Sequence, residues 1–253
     1  MVVGYRTIVG WICINPINYF NCNSNQHNIL MVYISIDIET SGLNSDMNNV
    51  LSIGAIIEDT TKKLPYEQLP KFNAIILKNN IQGSPRALTM NKEIISLMGE
   101  YLEGTSDVRV ILNTNSGYKF YEEDEVVKHF FDFLFVNGFG YDIISGAQTI
   151  RRGVDGKSLP IIGSNTKPIT INVAGKNFAT FDKVFLEELP WWKKLIRTRS
   201  RILDPAILFC DWNEDESLPS LIKCKERANI EGIVTHNALE DAWDVIELLR
   251  KHY

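Results

Sequence analysis

The stretch that most constrains this chain is Tyr33-Ile34-Ser35-Ile36-Asp37-Ile38-Glu39-Thr40-Ser41-Gly42-Leu43. β-branched and polar residues alternate along it, and a Ser-Gly turn closes it, which predicts a β-strand. Successive strand side chains point to opposite faces. Ile34, Ile36 and Ile38 therefore share an apolar face that a core must cover. Ser35, Asp37 and Glu39 share the other face, with two carboxylates side by side at the strand's end. Two like charges that close repel unless a cation sits between them. Hard divalent cations such as Mg²⁺ prefer such oxygen ligands. On this segment alone, a metal site and a half-exposed strand with a solvated acidic tip both remain open.

The 253 residues, 45% of them hydrophobic, suit one large globular domain or one domain with an insertion. The formal charge of −5 gives a whole-protein field that repels nucleic acid, so any nucleic-acid function needs a local basic patch or metal ions. Cys13, Cys22, Cys210 and Cys224 form neither a C-x-x-C pair nor a zinc-type cluster, and they fit free thiols in a reducing cytosol. A phage or bacterial cytosol suits the composition. No apolar run is long enough to span a bilayer. Residues 1–30 stand apart as a non-conforming extension. Their apolar part is broken by Asn15, Pro16 and Asn18, and Met31 directly precedes the first convincing strand. A single domain is expected over 31–253.

Further strands are expected over Val50–Glu58 and Phe72–Leu77, antiparallel to their neighbours. One helix is expected over Pro85–Leu102, with Ser84 as its N-cap and Pro85 at its first position. Residues 105–118 are ambiguous, with Val108–Leu112 compatible with a short strand and the rest with loop. Glu122–Val136 has apolar residues at helical spacing and acids in its first turn, which predicts a helix. The glycine-rich stretch of about 137–168 reads as a long loop or hairpin insertion. A strand over Ile169–Val173, a helix over about Thr180–Leu189, a short helix over Ser217–Arg227 and a last helix over Ala238–His252 complete the reading. Trp191–Arg201 carries Lys193, Lys194, Arg197, Arg199 and Arg201 beside Trp191 and Trp192, with no acid. It suits either phosphates with base stacking or a solvated face over buried tryptophans.

Three segments concentrate the chemistry. Asp37-Ile38-Glu39-Thr40 ends the first strand. Asp182 opens a helix after Asn177-Phe178-Ala179-Thr180-Phe181. His236 lies in the loop entering the last helix, and Asp241 lies about one turn inside it. Their order and spacing resemble the DnaQ-like 3′–5′ exonucleases of the histidine-containing DEDDh branch. Asp37 to Leu43 meets that family's Asp-x-Glu-Thr-x-Gly-Leu, Asn177 with Phe181-Asp182 its second motif, and His236 to Ala242 its His-x-Ala-x-x-Asp-Ala. Lys176 stands where many members have histidine, Asn177 to Asp182 is one residue longer than in many members, and the 137–168 insertion is uncommon in the family.

The resemblance implies an RNase H-like α/β fold, a mixed five-stranded sheet flanked by helices with its first three strands antiparallel. It implies Asp37, Glu39, Asp182 and Asp241 as ligands of two divalent ions, Mg²⁺ or Mn²⁺, which in such sites lie about 3.5–4 Å apart. It makes His236 the general base, a role that suits histidine's near-neutral titration. Thr40 through its backbone and Leu43 through its side chain would contact the terminal nucleotide, and Phe178 would stack on a base. The implied reaction is one-by-one release of nucleoside 5′-monophosphates from 3′ ends of single-stranded DNA or RNA in the cytoplasm. RNA trimming, digestion of short oligonucleotides, and a non-catalytic nucleic-acid-binding module on the same fold are the alternatives.

Overall fold

The computed structural model describes residues 31–140, 150–152, 158–163, 165–232 and 235–253. The extension at residues 1–30 lies outside them. In chain order the elements are β1 (Val32–Thr40), β2 (Val50–Asp59), β3 (Lys71–Ile76), α1 (Pro85–Met90), α2 (Lys92–Glu103), α3 (Ser106–Asn115), β4 (Lys119–Tyr121) and α4 (Glu123–Val136). There follow β5 (Ile150–Arg152), β6 (Ser158–Pro160), β7 (Ile169–Ile171), β8 (Val173–Ala174), α5 (Asp182–Glu188), α6 (Trp192–Leu195), β9 (Ile196–Thr198), α7 (Leu221–Ala228) and α8 (Ala238–Arg250).

The expected α/β architecture is present. A mixed five-stranded sheet runs in the order β4-β3-β2-β1-β8, with β1, β2 and β3 antiparallel and β8 parallel to β1. One edge strand, β4, pairs parallel to β3. Beyond β8 the hydrogen bonding continues. β7 pairs parallel with β9, and Leu203 N–H donates to the Val173 carbonyl. Residues 169–174 therefore bond β1 on one edge and 196–203 on the other.

The alternation in β1 decides what covers each face. Ile34, Ile36 and Ile38 join Phe130, Phe131 and Trp192 in the main core, beneath α4 and α6. Tyr33, on the opposite face, packs with Ile56 and with Ala242, Val245, Ile246 and Leu249 of α8. Phe130 and Trp192 stack with ring centroids 5.6 Å apart. Truncating a buried aromatic of this kind costs about 3–5 kcal/mol. The far end of α8 is pinned to β2 by Arg250, whose Nε and Nη2 donate to the fully buried Glu58 carboxylate at 2.8 and 2.6 Å. A buried charge left without its partner is strongly destabilising, so this contact holds the helix in register.

The structure corrects several expectations. Pro85–Leu102 is two helices, divided at the buried Asn91, whose side-chain amide donates to the Thr40 and Ala87 carbonyls. That tertiary tie to the end of β1 interrupts a helix that local pattern alone would continue. Val108–Leu112 lies in α3, not a strand, and exposes Val110 and Ile111. Its apolar residues resemble a strand only because they are clustered. In the 137–168 stretch, β5 and β6 pair antiparallel. No helix among the described residues is long and apolar enough to cross a membrane.

Candidate active site

Two glycines and one carboxylate build the site. Gly54 on β2 pairs with Asp37 on β1. A Cβ at Gly54 would lie 2.2 Å from the Leu239 amide nitrogen and 2.3 Å from the Ala238 carbonyl carbon. The missing side chain therefore lets the first turn of α8 rest on the sheet beside Asp37. At Gly175 a Cβ would lie 2.8 Å from the Ile36 carbonyl oxygen, so the chain leaves β8 there against β1. The Ile38 N–H, beyond the end of β8, finds the Asp182 carboxylate instead, at 3.1 Å. That bond brings the start of α5 to the same end of β1.

The N-terminus of α8 is capped by Asn237, whose side-chain oxygen accepts from Leu239 and Glu240 N–H while its amide donates to the Tyr118 hydroxyl at 2.9 Å. Such a cap is worth about 1 kcal/mol and sets the angle at which Asp241 enters the site. His236, just before the cap, has φ +55°, an uncommon conformation for a non-glycine residue.

The geometry brings Glu39, His236 and Asp241 together, with one ligand atom from each within 4.8 Å of the others. Glu39, Asp182 and Asp241 are buried, Asp37 is partly buried and His236 is exposed. Asp241 Oδ1 is buried without a hydrogen-bond partner among the described residues. Burial and the surrounding carboxylates Asp182, Asp241 and Glu39 push the Asp37 carboxyl well above its ordinary range. Burial, then Asp241, raise Glu39 to about 8, with the Asn91 amide beside it pulling the other way. Burial raises Asp182 to about 7 despite the Ile38 N–H. Burial, then Asp244, raise Asp241 to about 7. This is a carboxylate cluster plus one imidazole, with an orphaned carboxylate oxygen and ionised forms disfavoured by burial and mutual repulsion. Such a donor set fits a hard divalent cation.

A consequence follows for the metal-free protein. The raised carboxyls bind protons in the native state that the unfolded chain has already released. Their stabilisation is complete below about pH 4 and is lost as pH rises through about 7 to 8. The thermal midpoint in EDTA should therefore fall across that range. Mn²⁺ at 100 times its dissociation constant should add about 2.7 kcal/mol at pH 8 and little at pH 5. An EDTA midpoint that is flat or rising from pH 5 to 8, read by calorimetry, would contradict the repulsion.

Solved nuclease structures superpose on this chain. E. coli exonuclease I in complex with a dT13 oligonucleotide matches at 12% identity and a TM-score of 0.46, over 87% of this chain and 40% of that one. Cell-death related nuclease 4 matches at 11% identity and a TM-score of 0.46, over 87% of this chain and 62% of that one. The chain thus spans less than two thirds of either protein's length. No family model and no curated protein matches the sequence.

The remaining candidates divide. Leu43 stands 87% exposed on the loop after β1, free to meet a ligand. The Thr40 carbonyl is engaged by Asn91, and its hydroxyl donates to the Gly42 carbonyl at 2.7 Å. Phe178 corrects an expectation: it is fully buried in the main core, so it offers no ring face to a base and instead anchors the turn between Gly175 and Asp182. Asn91, Asn237, Tyr118 and Gly54 were not anticipated. Gly54 has a local signal, as a glycine inside an apolar strand, which marks close approach of another backbone, and so has Asn237, an Asn with Glu240 three residues on at the start of a helix; Asn91 and Tyr118 have none.

Proposed function

We propose that the chain is a metal-dependent 3′–5′ exonuclease that releases nucleoside 5′-monophosphates from single-stranded DNA or RNA. The observation that carries this reading is the convergence of Glu39, His236 and Asp241 within ligand distance, with Asp37 and Asp182 completing the carboxylate cluster at one end of the sheet. Asp37, Glu39, Asp182 and Asp241 would hold two divalent ions, Mg²⁺ or Mn²⁺. When bound, such ions acidify a water and neutralise charge on the transferring phosphoryl group and the leaving oxygen.

The chain's own residues do the rest. His236, exposed beside Glu39 and Asp241, takes a proton from the attacking water. The water oxygen bonds to phosphorus, the P–O3′ bond breaks, and the 3′ oxygen leaves to be protonated by solvent. Asn91 and Asn237 hold Glu39 and Asp241 in place through the Thr40 carbonyl and the α8 cap. Leu43, exposed on the loop that follows β1, would meet the terminal nucleotide.

Digestion of matched 5′-labelled single-stranded DNA and RNA with Mg²⁺ or Mn²⁺ tests the reading. A one-nucleotide ladder shortening from the 3′ end, absent with EDTA, is expected, and the faster substrate gives the sugar preference. Internal cuts, or a ladder that persists in EDTA, would overturn it. His236→Ala should lower kcat by about 10²–10⁴-fold while the Mn²⁺-induced rise in thermal midpoint persists. Wild-type turnover in that variant would remove His236 from the proton-transfer role.

A further inference from the structure

The basic stretch after α5 separates in the structure into engaged and free cations. Trp192 is core, and Trp191 is partly buried with Lys128 and Lys194 over its ring at 5.1 and 4.9 Å, so its ring is already engaged by two cations. Lys193 pairs with Glu188 at 3.1 Å. Arg197, Arg199 and Arg201 are all exposed, and among the described residues none has an ion-pair partner. In a chain of net charge −5, three exposed guanidiniums within five residues, none ion-paired among the described residues, are a local reversal of the field.

Their placement is directional. β9 pairs Ile169 with Ile196 and Thr170 with Arg197, and Ile169 and Ile196 face the main core. Arg197 therefore stands on the opposite face of the sheet, the one that carries Asp37 and Glu39. Arg199 follows two residues on, its N–H bonded to the Ile171 carbonyl. From Arg197 to Arg199 two residues of near-extended chain advance about 6.6 Å, close to the separation of successive phosphates along a stretched single strand; the chain then bends at Ser200, which sets Arg201 off the strand line before Leu203 bridges Ala174. Counting register through β7, β8 and β1 puts Thr198 level with Val32, five residues short of Asp37 and two strands across. That is roughly 20 Å from the carboxylate cluster.

We infer that Arg197, Arg199 and Arg201 form a phosphate-binding track that holds the body of a single-stranded nucleic acid at a distance from the site that takes its end. The inference rests on the proposed nuclease reading for the identity of the strand. It explains how an acidic protein retains a polyanion: the grip is local, through phosphates, and without stacking. Guanidinium forks suit it because they bind phosphate oxygens bidentately and stay charged at any working pH.

The test compares wild type with R197Q/R199Q/R201Q and with the charge-retaining triple lysine variant. Binding of a long dT oligonucleotide is followed by fluorescence anisotropy in EDTA over a salt series. Each phosphate contact on a single strand contributes about 0.7 to the slope of log affinity against log salt, so the glutamine variant should lose about 2 from that slope. The lysine variant should recover most of it. In Mg²⁺, KM for the long strand should rise in the glutamine variant with kcat unchanged, while hydrolysis of a dinucleotide, too short to reach the track, should not change. Superimposable salt curves for wild type and the glutamine variant would overturn the track even if both digest DNA. A changed slope in a protein that digests nothing would sustain the track and sink the nuclease reading. Loss of binding to anionic vesicles in the glutamine variant, with oligonucleotide binding intact, would assign the arginines to a lipid surface and overturn the proposal. All three positions are exposed, so equal thermal midpoints among the variants are expected and check the fold.

Discussion

Asp37→Ala is expected to abolish turnover while leaving the metal-free protein at least as stable as wild type. Asp37 lies among Asp182, Asp241 and Glu39, and its charge is disfavoured by burial and by all three. Alanine removes one member of a mutually repelling group, so at pH 8 in EDTA the thermal midpoint should equal or exceed that of wild type. The cost falls on cation binding. Losing one preorganised charge at the reacting centre costs at least on the order of 10²–10³-fold in kcat, and loss of a bound cation takes turnover below detection; the Mn²⁺-induced rise in midpoint should shrink or vanish with it. Asp241→Ala, which removes the orphaned Oδ1 from the other side, should behave alike. Activity assays on the 3′-end ladder and calorimetry with and without Mn²⁺ read both halves. A fully active Asp37→Ala would mean the cluster is not the reacting centre. A variant that is inactive because it is unfolded in EDTA would mean the carboxylate is structural.

Gly54→Ala should be nearly as damaging from a residue that touches no ligand. The added methyl would lie 2.2 Å from a backbone nitrogen of α8, where no side chain can swing aside. Either β2 or the first turn of α8 must move. Overpacking of this kind costs typically 1–3 kcal/mol, and each kcal/mol lowers the midpoint of a chain this size by about 2–4 °C. The larger effect is on turnover, since a displacement of about 1 Å at a reacting centre can cost 10²-fold. Gly99→Ala is the control. It meets nothing within 4 Å, and in mid-helix it should stabilise by up to about 1 kcal/mol without touching kcat. Equal kcat in Gly54→Ala and wild type would show that the close approach of α8 at Gly54 does not set the position of Asp241.

Much of the site was legible in the residues because its members sit at element boundaries that short-range rules detect. The alternation of Ile34 to Glu39 assigns two faces to β1 without any knowledge of what covers them, and the structure puts the main core on one and α8 on the other. Asp182 opens α5 and Asp241 lies in the first turn of α8, as read from their helix patterns. Phe178 was misread because an aromatic beside an acidic motif looks the same in sequence whether it faces a ligand or the core. Pro85–Leu102 was misread as one helix because the bond that splits it runs from Asn91 to Thr40, 51 positions away.

Residue order alone gives the set of chemical groups and the local direction in which each points: two carboxylates on one strand face, an acid at each of two helix starts, a histidine before the second. Periodicity carries that information because it depends only on backbone geometry within a few residues. The tertiary structure alone decided which of these groups meet. Gly54 admits α8, Gly175 turns the chain off β8, and the Ile38 N–H draws Asp182 to the vacated edge of β1. It also decided that Trp192 is buried and Trp191 engaged by Lys128 and Lys194, while Arg197, Arg199 and Arg201 are exposed with no ion-pair partner among the described residues. These are contacts between segments far apart in the chain. Their energies depend on close packing and burial, which no local pattern encodes.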